Sequence, residues 1–206
     1  MVNVNGAQLI VRALSNQGVE VLFTLCGDND MIYNYCHDKS CTETGIDLID
    51  FRHEQATGHA AIGYYLATGK VGVCSVQSGP GITDLFPSIP IAWDSSIPLV
   101  AICTATPLME FEKLPANEID VIPAFRSVTK WAGYCYETER IPEYINMAFR
   151  IASTGRPGPV LLLIPFDVMV KECDDDLDIV TRSFEPVEKL RAFHRPYGNE
   201  IQVKKQ

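Results

Sequence analysis

Five short apolar runs constrain this chain more than any other feature. They occupy residues 19–25 (VEVLFTL), 46–51 (IDLIDF), 71–76 (VGVCSV), 99–104 (LVAICT) and 160–164 (VLLLI). Each is nearly continuous in Val, Ile, Leu and Phe, with little polar–apolar alternation. A strand with one wet face alternates, whereas a strand covered on both faces does not. The runs therefore predict a parallel sheet buried between helices. A further short strand is read at 131–136.

The segments between the runs carry helical patterns. Gly6–Asn16 has apolar residues at 7, 9, 10, 11, 13 and 14, and Gly18 follows as a stop signal. Glu54–Thr68 ends before Gly69. Residues 81–93 are apolar but contain Pro87 and Pro90, so a helix there must kink or break. Ile141–Ser153 has Pro142 in its first turn, a favoured place. Strands alternating with helices predict an α/β fold: a doubly wound, mostly parallel sheet with helices on both faces. Past Asp167 the composition turns acidic and then rich in proline and charge. This divides the chain into a domain over 1–170 and an acidic linker with a C-terminal arm over 171–206.

At 206 residues the chain suits one domain. Its net charge of −9 argues against partnership with nucleic acid or an anionic membrane surface. It has no run of about 18 apolar residues that would span a membrane, and its first residues lack the pattern of a signal peptide. Seven cysteines without a Cys-x-x-Cys pair read as reduced thiols, which predicts a cytoplasmic location. Cys36, His37 and Cys41 lack an evident fourth zinc ligand, so no metal site is expected in this chain.

Two places suggest chemistry. "VQSGPGITD" (76–84) ends a strand, turns through Ser78-Gly79-Pro80-Gly81 and opens a helix. Ligands of open α/β sheets sit outside the carboxyl ends of the strands, and the glycines would let a backbone pass close to a bound ring. The same residues also suit an ordinary tight turn. The second place is Glu54, at the junction of the 46–51 strand and the following helix. A carboxylate there gains from the helix dipole. Gly58, Ala60, Ala61 and Gly63 give that helix small side chains, which permits close approach by another backbone. A partly desolvated carboxyl at a strand's carboxyl end is a candidate proton shuttle. Gly69-Lys70 fails as a phosphate loop, because five residues separate Gly63 from Gly69 and Val71 follows the lysine.

The segment "RHEQATGHAAIGYYLATGKVGVCSVQSGPGITDL" resembles the pyrimidine-binding N-terminal domain of thiamine-diphosphate enzymes of the acetolactate synthase and pyruvate decarboxylase type. The resemblance runs over roughly residues 5–170 and includes "NGAQLIVRALSNQGVEVLFTLCGD" and "RSVTKWAGYCYETERIPEYINMAFRIASTGRPGPVLLLIPFDV". It implies a thiamine-diphosphate-binding fold. It implies that Glu54 hydrogen-bonds N1′ of the cofactor's aminopyrimidine and shares the proton that activates the cofactor. It implies that Ser78, Gly79, Pro80 and Gly81, with Asp84, line the pyrimidine. It implies a substrate side formed by Cys26, Gly27, Asp28, Ala105 and Asn117. Asp28 resembles the pyruvate decarboxylase version of its turn, in which an aspartate assists protonation.

The chain departs from the family in several places. Cys26 replaces the usual proline, and Asp84 stands where the synthases have asparagine. Ala105 and Asn117 fall near expected glutamines. The paired histidines of pyruvate decarboxylase are missing. The diphosphate motif, Gly-Asp-Gly followed by Asn-Asn, which holds Mg²⁺ in the family, is also missing. The resemblance therefore implies a split enzyme similar to sulfopyruvate decarboxylase. A separate subunit would carry the diphosphate-binding domain, the assembly would be an α2β2 heterotetramer, and the substrate a 2-oxo acid. Three other readings stay open: a C–C lyase or acyl-transferring variant, a non-catalytic regulatory paralogue, and a fragment of a longer protein.

Overall fold

A computed structural model describes residues 3–175. Its centre is a six-stranded sheet made of β2 (Val21–Thr24), β3 (Asp47–Asp50), β4 (Gly72–Ser75), β5 (Leu99–Ala105), β6 (Trp131–Tyr134) and β7 (Pro159–Pro165), in the spatial order β3-β2-β4-β5-β7-β6. Every pairing in this sheet is parallel. The helices α1 (Gly6–Asn16), α2 (Glu54–Thr68), α3 (Pro80–Leu85), α4 (Ser88–Asp94), α5 (Ile122–Arg126), α6 (Ile141–Ser153) and α7 (Phe166–Val170) cover it.

The continuous apolar runs have a simple cause. Along β5 and β7 alternate residues go to opposite cores. Val100, Ile102, Val160, Leu162 and Ile164 join the core under α1 and α6. Leu99, Ala101, Cys103, Leu161 and Leu163 join the core under α2, α3, α4 and α5. With both faces covered, the positions along these strands are apolar, save Thr104 near the end of β5.

Local chemistry sets the ends of the helices. Asn5 caps α1: its side chain accepts the Gln8 N–H at 2.9 Å, and the Gln8 side chain accepts the Asn5 N–H at 2.9 Å. Gly69 closes α2 in the left-handed conformation at φ 73°. The segment 81–93 breaks in two, with α3 ending at Leu85 and α4 opening at Ser88, around Pro87. Gly58 brings α2 hard against α4, since a β-carbon there would stand 1.9 Å from Ser88 Oγ. Ala61 packs on β4, where a β-carbon on Gly72 would lie 2.1 Å from the Ala61 carbonyl oxygen. The small residues of α2 thus serve packing within the chain at Gly58 and Ala61, while Gly63 has nothing within 4 Å of its β-carbon position.

Two short strands lie outside the main sheet. β1 (Asn3–Asn5) pairs antiparallel with β8 (Glu172–Asp174), and Cys173 is buried beneath the pair. Residues 172–174, read from sequence as the start of a linker, are thus a strand. The rest of the expected arm, from 176 onward, lies outside the described residues. Among the described residues no helix is long and apolar enough to cross a membrane.

Candidate active site

The strand order reverses beside β2. From β2 the chain steps to β3 on one side, and β4 then pairs with β2 on the other. Such a switch opens a crevice at the carboxyl ends of the two strands, the usual ligand position in open α/β sheets. The turns after β2, β3 and β4 bring Gly27-Asp28, Glu54 and Ser78-Gly79-Pro80-Gly81 to this edge.

Asp28 is tied on several sides. Its Oδ1 accepts the Ser78 N–H at 3.1 Å, and its Oδ2 accepts the Ser78 hydroxyl at 2.5 Å. The Thr104 hydroxyl, near the end of β5, also donates to Oδ1. Beneath it Asn29, fully buried, accepts the Gly27 N–H at 2.9 Å and donates to Ser75 Oγ at 3.0 Å and Thr24 Oγ1 at 3.3 Å. Tyr33 and Thr24 share a further short hydrogen bond. Burial raises the Tyr33 hydroxyl well above its ordinary pKa and pushes the Cys103 thiol up to about 12. The floor of the crevice is therefore polar, fully bonded and neutral.

Glu54 opens α2, with His53 as its cap; His53 Nδ1 accepts the Gln55 N–H at 3.2 Å. The Glu54 side chain is half-buried and makes no hydrogen bond among the described residues. Its Oε1 lies 3.4 Å from the position a β-carbon on Gly81 would occupy. Gln77 sits between two glycines: β-carbon positions on Gly27 and Gly81 fall 2.4 Å from its Oε1 and 2.7 Å from its Cγ. Gln77, Asn29 and Thr104 were not singled out from the sequence. Gln77 does lie inside the quoted 76–84 block, but its place depends on two turns that meet only in the fold.

The other expected residues are spread more widely. Ser78 and Gly79 are buried, while Pro80 is exposed at the start of α3. Gly79 has φ 61°, and a β-carbon there would stand 2.2 Å from the Asn117 carbonyl oxygen. Asn117, itself at φ 66°, thus approaches the turn through its backbone. Ala105 is buried and lines a cavity of about 250 Å³ with Gly79, Phe111, Asn117 and Tyr134. Cys26 is exposed, and its N–H donates to Asp50 Oδ1 at 3.3 Å. Asp84 is exposed on α3. A larger cavity of about 670 Å³ lies at the opposite, amino edge of the strands, between the ends of α1, α2 and α6. It is remote from the glycine turn and from Glu54. Cys36 and Cys41 are buried, and among the described residues no three His, Cys, Asp or Glu side chains gather as metal ligands would.

Residues 4–124 match the family model of the thiamine pyrophosphate enzyme N-terminal TPP binding domain. The chain belongs to this family. It carries the pyrimidine-binding N-terminal domain of a thiamine-diphosphate-dependent enzyme, of the acetolactate synthase-like kind. It is 36% identical over 208 residues to an acetolactate synthase large subunit of Buchnera aphidicola, covering 98% of this chain and 34% of that protein. It is 40% identical over 168 residues to the acetolactate synthase isozyme 3 large subunit of Escherichia coli, covering 80% and 28%. It is 37% identical over 163 residues to the chloroplastic acetolactate synthase of Arabidopsis thaliana, covering 79% and 24%. The chain thus spans about a third or less of the length of these relatives.

The crevice fits the aminopyrimidine end of thiamine diphosphate. Gly81, with no side chain of its own, lets the turn pass close to Gln77 and Glu54, and Glu54 offers there a carboxylate with no hydrogen-bond partner among the described residues.

Proposed function

We propose that this chain is the pyrimidine-binding part of a 2-oxo acid decarboxylase or carboligase of the acetolactate synthase type, with Glu54 as its activating acid. The observation that carries the proposal is the Glu54 carboxylate, half-buried and without a hydrogen-bond partner among the described residues, with its Oε1 3.4 Å from the β-carbon position of Gly81 in the turn. A half-buried carboxylate with no partner in the protein keeps its lone pairs available to a ligand.

Thiamine diphosphate, when bound, supplies the electron sink for breaking or forming a bond next to a carbonyl. This chain's residues bind and orient it. Gly79 and Gly81 let the turn that would meet the ring pass close to the Asn117 backbone and to Gln77. Glu54 would hold or pass a proton at the cofactor's aminopyrimidine, and its position in the first helical turn favours a negative charge on the carboxylate. Gln77 and Ser78 fix the turn on either side. Cys26, Ala105 and the backbone of Asn117 form the substrate side. Diphosphate and Mg²⁺ would be held elsewhere in the assembly, by a partner subunit in an α2β2 heterotetramer or by further sequence of the kind that the longer relatives possess. The net charge of −9 and the reduced thiols support a soluble cytoplasmic enzyme.

The experiment is reconstitution with the polypeptide that carries the diphosphate region. Calorimetry with thiamine diphosphate and Mg²⁺ should show little binding by this chain alone and tight binding by the complex. CO₂ release across a panel of 2-oxo acids should then identify the substrate. A complex that binds the cofactor but releases no CO₂ from any 2-oxo acid would overturn the assignment of reaction class.

A further inference from the structure

We propose that Asp28 is a positioning residue: its carboxylate clamps the 78–81 turn to β5, and it is not a proton carrier in the reaction. The clamp is read from hydrogen bonds within the chain. Its consequence for catalysis rests on the functional reading above.

The geometry leaves Asp28 little freedom. β2 and β5 are not neighbours, because β4 lies between them. Adjacent strands stand about 4.8 Å apart, so the carboxylate ties together elements about 10 Å apart across the sheet. From the turn after β2 it receives the Ser78 N–H and hydroxyl, which follow β4, and the Thr104 hydroxyl of β5. Both oxygens are occupied. The Ser78 N–H can only donate, so at least one lone pair of Asp28 must remain an acceptor. Behind it the Asn29 network fixes the Gly27-Asp28 backbone, with Asn29, Thr24 and Ser75 all buried. A group that carries protons in turnover must break and remake its bonds. Here each of those bonds also holds the turn that bears Gly79 and Gly81, and a change at Asp28 would move the floor on which the pyrimidine rests.

Two roles are thereby separated. A proton carrier requires a carboxyl group. A clamp requires a group of the same shape that can pair with the same three donors. Asparagine meets the second requirement and not the first: its carbonyl oxygen, in the place of Oδ1, accepts the Ser78 N–H and the Thr104 hydroxyl, and its amide, in the place of Oδ2, donates to the Ser78 hydroxyl once that rotates.

The test compares Asp28→Asn with Asp28→Ala by amide hydrogen exchange in the full chain, with no cofactor needed. Asp28→Ala should speed exchange over residues 78–81 by roughly tenfold or more, as the loss of buried hydrogen bonds implies, and leave Leu99–Ala105 and Pro159–Pro165 protected. Asp28→Asn should stay within about threefold of the wild-type chain. If Asp28→Ala does not fold, Thr104→Val removes one donor and should loosen the same turn. Unchanged exchange in the Ala or Val variant overturns the clamp. In the reconstituted complex, Asp28→Asn should retain CO₂ release to within about tenfold, whereas Asp28→Ala should need far more thiamine diphosphate to reach its maximum rate. Equal and complete loss in both variants at saturating cofactor would make Asp28 a proton carrier after all. A wild-type complex that binds no cofactor would defeat the functional reading, and the exchange result would still decide the clamp.

Discussion

Glu54 directs its carboxylate at Gly81: Oε1 stands 3.4 Å from where a β-carbon on that glycine would be. The two residues are brought together by α2 and α3, which begin at the carboxyl ends of β3 and β4. The carboxylate and the glycine it faces belong to separate βα units.

The two glycines of the turn should respond differently to alanine. At Gly79 the new methyl group would meet the Asn117 carbonyl oxygen at 2.2 Å, on a backbone with φ 61°. Gly79→Ala should therefore destabilise the domain by about 2–4 kcal/mol, seen as a lower midpoint in urea. At Gly81 the nearest atom is Gln77 Cγ at 2.7 Å, a side-chain atom and not backbone, although Gln77 is itself held against Gly27 and must shift. Gly81→Ala should cost about 1–2 kcal/mol in stability, and weaken thiamine diphosphate binding in the complex, which calorimetry would show.

Thiol chemistry should report the burial of the cysteines. Cys26 is exposed, and the other six are buried. Burial raises Cys36 and Cys103 to about 12 and Cys135 to about 11. At pH 8 a thiol near 12 carries about a thousandfold less thiolate than one at the ordinary value of 9.0. A coloured disulfide reagent should titrate one thiol quickly in the folded chain and seven in denaturant. Fast reaction of two or more would contradict the burial of the other six, and fast reaction of Cys74 or Cys103 the packing of β4 and β5.

Asn29 should matter for stability without touching any ligand. Its amide makes three hydrogen bonds in a fully buried site. Asn29→Ala leaves the Gly27 N–H and two buried hydroxyls short of a partner, at a cost of about 2–4 kcal/mol. Chemical denaturation of the full chain measures this directly.

The sheet and the long helices could be read from the sequence because their signals are local and repeated. Gly6–Asn16, Glu54–Thr68 and Ile141–Ser153 have the bounds that their caps and apolar faces indicate. The strand run at 19–25 was too long: only Val21–Thr24 joins the ladder. The flanking Val19 is apolar because it packs into the core below α1. Two short helices, Ile122–Arg126 and Phe166–Val170, are less than two turns long and show no period. The β1–β8 pair joins residues nearly a whole domain apart. In the site, Glu54 and the 78–81 turn stood out because their motif is contiguous. Thr104 did not, since it meets Asp28 across 76 residues of chain.

The central claim is that Glu54 activates the cofactor, and Glu54→Gln in the reconstituted complex tests it most directly. Glutamine keeps the shape but gives up the exchangeable proton. Thiamine diphosphate should bind within about tenfold of its wild-type affinity, while exchange of the cofactor's thiazolium C2 proton slows by about 10²–10⁴ or more, the range of a lost general acid–base group. C2 exchange at near wild-type rate in a complex that binds the cofactor normally would contradict the account.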